Sequence, residues 1–232
     1  GAVAITAGEG AKDAVLSGIT TAASSYVCND NAGSVVLNGN GRLPGGSDVS
    51  SHTHTISNSI TIAHADTLAA GATYSIAIGK TLTGTAAFLT GDTIKGDGTV
   101  AVTALHLTLG ADLSGIATTN KTAAFDTTGI FVGNLGSVTT TVGNGVTMTL
   151  TAVIADGKTI NGTGGTVAIT DLHSTLGADL SGITATTKTA AFDATNTFTG
   201  NLGSVTTTVA ANKTMTLTAA LANGKTIVGT GG

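Results

Sequence analysis

Residues 99–165 align with residues 166–232 without a gap, and 49 of the 67 positions are identical. Whole phrases recur letter for letter: Asn134–Val142 and Asn201–Val209 both read NLGSVTTTV, and KTAAFD and TLGADLSGI each occur twice. A duplication this exact means that one structural unit is built twice, and such periods are the mark of repeat architectures.

The unit has an inner beat. Asp112–Ile116 (DLSGI), Asn134–Val138 (NLGSV) and Gly157–Ile160 (GKTI) are variants of one turn-then-strand phrase, and the series resumes at Asp179. The phrases start about 22 residues apart, so each repeat divides into three rungs. Between them run short alternating stretches such as Val146–Thr151 (VTMTLT), whose period of two is that of a half-buried strand. Gly, Asn and Asp fall between these stretches, where turns are needed. The predicted fold is therefore all-β, a parallel β-solenoid with ~22-residue rungs in 67-residue repeats, like residues stacking on like at ~4.8 Å. The alternative is a string of tandem small β-sandwiches, but immunoglobulin-type sandwiches run to ~100 residues and lean on Trp and Tyr.

Composition agrees. Aromatic residues are 3% and charged residues 9%, with no Trp, one Pro and 34 Gly, while 41% are hydrophobic. A core filled by small and β-branched side chains suits thin stacked strands better than a wide globule. Disorder is disfavoured by the apolar content. No apolar run approaches the ~18–20 residues of a membrane-spanning helix. The net charge of −4, with nine scattered basic residues, offers no cluster to neutralise phosphates, so nucleic acid is not expected as a partner.

The predicted organisation is a shortened N-terminal repeat at 1–41, a divergent repeat at 42–98, and the two close copies at 99–165 and 166–232, forming one continuous solenoid. Gly1–Thr6 (GAVAIT) reads like Gly165–Thr170 (GTVAIT). The sequence thus opens as a repeat opens and closes as a repeat closes, with neither an initiator Met nor a basic leader, as in a mature or excised segment. Solenoids that stay monomeric cover their ends with atypical caps, and none is visible. The expected assembly ends are Gly1, Ala2, Val3, Ala4, Ile5 and Thr6 at one side. At the other they are Ile227, Val228, Gly229, Thr230, Gly231 and Gly232.

Chemistry is sparse. His52 and His54 stand at i, i+2 and would share one side of a strand, and His64 could join them as metal ligands; polar residues of an irregular repeat are the simpler account. His106 and His173 occupy equivalent positions, where inheritance from one ancestor suffices, although a stacked pair would respond to pH. Asp112 and Asp179, with Asp126, Asp156 and Asp193, sit in turn phrases. Calcium is the one ion this leaves open, but the tandem GGxGxD signature of calcium-binding β-rolls is absent and Asp-capped turns explain the positions. No other cofactor is expected. Cys28 is alone, so no disulfide or Cys-based zinc site forms within the chain; in the strand-like run Tyr26–Cys28 it is expected to be buried. Paired carboxylates in an aromatic groove, a Ser/His/Asp arrangement and HExxH are all missing, so an enzyme is not expected.

The gapless duplication, the Thr/Gly/Ala/Asn bias and the recurring GKTI…GTGG phrase resemble the large repetitive surface proteins of bacteria: filamentous adhesins, surface-layer proteins and extracellular filaments. The resemblance implies a structural protein at the bacterial cell surface or outside the cell, with itself as partner in a head-to-tail polymer or longer array. The alternative within the same resemblance is the stalk of a large adhesin or surface-layer protein. Separately, Thr147–Thr151 (TMTLT) and Thr214–Thr218 (TMTLT) resemble the flat Thr ladders of ice-binding β-solenoids, which implies a surface for ice or glycan.

Overall fold

The computed structural model describes residues 73–231 throughout and, before them, residues 4–7, 13–15, 25–28, 34–37, 53–56 and 59–61. Two compact units divide the chain: Gly1–Thr103 with Ala111–Thr122, and Ala104–Gly110 with Ala123–Gly232.

The first unit holds β1 (Ala4–Ala7), β2 (Asp13–Val15), β3 (Ser25–Cys28), β4 (Ser34–Leu37), β5 (Thr53–Ile56), β6 (Ile60–Thr61), β7 (Thr73–Ile76) and β8 (Thr81–Thr85). The single helical turn α1 (Ala86–Leu89), β9 (Thr93–Gly96) and β10 (Thr99–Thr103) complete it. One sheet runs β2-β4-β5-β7-β9, and every pair in it is parallel. Its register places Asp13, Ser34, Thr53, Thr73 and Thr93 in one row, one rung every 19 to 21 residues. A second row of parallel strands contains β6-β8-β10.

β11 (Asn120–Phe125) ends in the second unit. There follow β12 (Gly129–Ile130), β13 (Thr139–Val142), β14 (Thr147–Thr151), α2 (Ala152–Ala155), β15 (Ile160–Asn161), β16 (Thr166–Thr170), β17 (Thr187–Phe192), β18 (Asn196–Thr197) and β19 (Thr206–Val209). β20 (Met215–Thr216), α3 (Ala219–Ala222) and β21 (Ile227–Gly229) close it. Its longest sheet runs β12-β14-β16-β17-β19-β21, all parallel where the register is described. β13 pairs with β15, and β18 with β20, also in parallel. Both units are thus all-β stacks of parallel strands, the arrangement of a parallel β-solenoid. Sandwiches are excluded, because their neighbouring strands would run antiparallel.

Period-two burial builds the core. β14 and β16 alternate half-buried Thr or Ala with buried Met148, Leu150, Val167 and Ile169. Aromatic residues are few but central: Phe125, Phe131, Phe192 and Phe198 are each 0% exposed. The recurring phrases are corners. In NLGSVTTTV, Asn134 Oδ1 accepts a hydrogen bond from Gly136 N at 2.9 Å, Val138 turns inward, and β13 follows. The copy repeats this with Asn201 Oδ1 and Gly203 N at 3.0 Å. In DLSGI, Gly115 and Gly182 lie against the carbonyl oxygens of Asp92 and Lys158 one rung below, so a Cβ there would collide with backbone.

One expectation changes. The copies do not stack on themselves within one sheet. β13 pairs with β15, but their copies β19 and β21 lie in the six-stranded sheet. β12 and β14 lie in that sheet, but their copies β18 and β20 form a separate pair. Rungs set by the strand registers average about 20 residues, although corner contacts span 22 or 23. Sixty-seven residues therefore make three rungs and about a third of a fourth, and each copy lands one sheet further on.

Candidate functional site

The last rung differs from the others by what it leaves uncovered. Its sequence, Thr214–Val228 (TMTLTAALANGKTIV), copies Thr147–Asn161 (TMTLTAVIADGKTIN). In the earlier copy Met148, Leu150, Ala152, Ala155 and Ile160 are all 0% exposed. In the later one Met215 and Leu217 are half-buried, Ala219 is exposed, and Ile227 and Val228 are 38% and 47% exposed. An open recess of about 570 Å³ lies between Val209–Thr214 and Gly229–Gly231. The equivalent place one repeat earlier is filled by the next rung: Ala185 packs on Gly162, Thr186 N donates to Gly162 O at 2.9 Å, and Thr186 Oγ1 accepts from Gly164 N at 2.8 Å. The recess thus has the form of a missing Ala-Thr-Thr strand. Of the expected assembly residues, Ala4, Ile5 and Thr6 belong to β1 and Ile227, Val228 and Gly229 to β21; Thr230 N bonds Val209 O at 3.0 Å. Gly1, Ala2, Val3 and Gly232 lie outside the described residues.

Sheet surfaces carry ranks of Thr. The parallel register sets Thr147 beside Thr166 and Thr166 beside Thr187. A second rank runs Thr149, Ala168, Thr189, Thr206, broken once by Ala168.

Asp112 and Asp179 are corner residues. Asp112 Oδ1 accepts from Ser114 N, and Asp179 Oδ1 from Ser181 N, each at 3.0 Å. The serine hydroxyl and then the serine amide hold each carboxyl below its usual range. Neither belongs to a group of three ligating side chains among the described residues. His54 lies in β5 with its backbone beside Val35 and Tyr74; His52 and His64 fall outside the described residues, as does the side chain of Cys28 in β3. The histidine trio therefore gains no geometry.

The group that does converge is Asp171, His173 and Asp193, whose ligating atoms lie within 4.8 Å of one another. Spacing hid it, because Asp193 comes from the neighbouring strand and Asp171 is one of the 18 positions at which the copies differ. Elsewhere, Asp92 is 3% exposed and its Oδ2 has no hydrogen-bond partner; burial pushes its carboxyl up to about 7. Burial, and then the charge of Asp92, also raises the phenol of Tyr74.

Among the described residues no helix is long and apolar enough to cross a membrane. No protein-family model, no curated protein and no solved structure matches the chain.

Proposed function

We propose that the chain is a structural protein of the bacterial cell surface or extracellular space, which builds an extended filament or array by stacking β-solenoid rungs end to end. The observation that supports this is the parallel stacking of repeated rungs, in which apolar residues such as Met148, Leu150 and Ile160 are buried by the neighbouring rung, so that one rung is the natural cover for another. A buried side chain of the size of Met or Ile contributes about 1.5–3 kcal/mol relative to an exposed one, so covering Met215, Leu217 and Ile227 supplies a driving force. β21 also offers unpaired backbone groups to a further parallel strand. The opening phrase Gly1–Thr6 copies Gly165–Thr170, and since Thr166–Thr170 pairs with Thr147–Thr151, its in-phase complement is the copy Thr214–Thr218.

The test is electron microscopy and sedimentation of the chain over a concentration series, beside Ile227→Lys/Val228→Lys. Fibres from the parent and single particles from the double variant support head-to-tail stacking. Single particles of both at every concentration would refute it, and the repeats would then act within a longer adhesin stalk, where rungs of one chain cover each other.

The ranks Thr147–Thr166–Thr187 and Thr149–Thr206 favour a second reading, a flat hydroxyl face for ice or glycan. Thr149→Tyr with Thr189→Tyr breaks the flatness. Ice growth slowed by the parent and not by this variant supports it; growth unaffected by the parent removes ice as the ligand.

A further inference from the structure

We propose that Asp171, His173 and Asp193 form a site for a divalent transition-metal ion, with zinc the best match. The three residues come together because β16 ends in a tight turn. Asp171 takes the left-handed conformation, at φ 55°, and caps a 3-10 turn over Leu172–Ser174 that swings His173 back onto β17. Asp193 follows directly after Phe192, the last residue of β17.

The turn is braced: Ser174 N and Ser174 Oγ donate to Asp171 O at 2.9 and 2.7 Å. Thr170 Oγ1 donates to Asp171 Oδ2 at 3.3 Å, which orients the carboxylate and leaves Oδ1 free.

His173 supplies the second observation. Its Nδ1 is shielded from solvent and lies against Asp193 Oδ1 without the alignment of a hydrogen bond. An imidazole nitrogen and a carboxylate oxygen thus converge as two ligand atoms for one cation. Asp171 adds a third ligand, and the half-open surroundings leave room for water as a fourth. One imidazole with two carboxylates suits zinc; calcium prefers oxygen throughout.

The first copy provides an internal control. Its turn has the same backbone, with φ 52° at Ala104, and His106 Nδ1 is likewise buried without a hydrogen-bond partner, its ring edge-on to Phe125 at 6.5 Å. Asp126 occupies the place of Asp193. Only the carboxylate is missing, because Ala104 replaces Asp171. Asp171→Ala therefore recreates a turn that this protein already folds. Ala104→Asp should complete a second site, and Asp tolerates the left-handed conformation better than Ala.

The experiment titrates Zn²⁺ against a chromophoric chelator, in a chain whose His52, His54 and His64 are replaced by Gln. One ion per chain is expected, at least tenfold weaker with Asp171→Ala, and two ions with Ala104→Asp. Co²⁺ in place of zinc should give visible bands that disappear in His173→Gln. No zinc uptake by the parent, or equal uptake after Asp171→Ala, overturns the site and leaves His173 and Asp193 as an ion pair.

Discussion

Thr147–Asn161 and Thr214–Val228 carry almost the same residues in opposite circumstances. Leu150 is 0% exposed and Leu217 is half-buried; Ala152 and Ala155 are sealed by α2 packing, whereas α3 buries nothing. In a stacked fold burial belongs to the neighbouring rung, and a residue's own sequence fixes only which way it points.

The sharpest test of that contrast is Leu150→Ala against Leu217→Ala. The first should cost about 3 kcal/mol and the second under about 1, read as shifts in urea midpoints. Equal costs would mean that the last rung is covered in solution.

A second contrast compares the corners Gly91–Ile94 (GDTI) and Gly157–Ile160 (GKTI). Lys158 Nζ bonds Gly136 O at 2.7 Å, while Asp92 is buried with an orphaned oxygen. Its folded-state carboxyl is raised to about 7, so from its ordinary range up to 7 the folded chain holds a proton that the unfolded chain has released. Asp92 thus favours the fold in acid, and that contribution is lost as pH rises through 7. Asp92→Asn should stabilise by about 2 kcal/mol at pH 8 and by little at pH 4. Urea midpoints that differ from the parent equally at both pH values would show that Asp92 does not titrate in this range.

Smaller effects follow at the glycines. A Cβ on Gly162 would sit 3.2 Å from Ala185 Cβ, whereas Gly229 has open space around it. Gly162→Ala should cost about 1 kcal/mol, and Gly229→Ala should be neutral or gain about 0.5. If a second copy fills the recess, Gly229→Ala should also weaken association, which sedimentation would detect. Smallest is a pair that should behave alike. Thr140 and Thr207 are both 0% exposed, with hydroxyls that lack partners, so Val at either should gain about 0.5–1 kcal/mol in thermal melts. A gain at Thr140 alone would show that water reaches Thr207.

Parallel stacked strands were legible in the sequence, because the period-two runs, the corner phrases and the duplication are all local signals. The phase between copies was not: it depends on the strand registers, which average about 20 residues, and corner phrases spaced at 22 concealed it. The Asp171–His173–Asp193 group was also hidden. Asp126 and Asp193 look alike as turn residues, both copies make the same αL turn, and only the carboxylate of Asp171 in place of Ala104 distinguishes them. His52 and His54 are conspicuous because i, i+2 spacing is visible in one dimension, as a contact between rungs is not; His52 and His64 lie outside the described residues.

That third of a rung makes each 67-residue duplication act like a screw thread. A mark carried in both copies, such as the strand Thr139–Val142 and its copy Thr206–Val209, lies in a different sheet in each. A lineage growing by duplication would thus distribute any new group among more than one sheet, without having to invent it separately for each one.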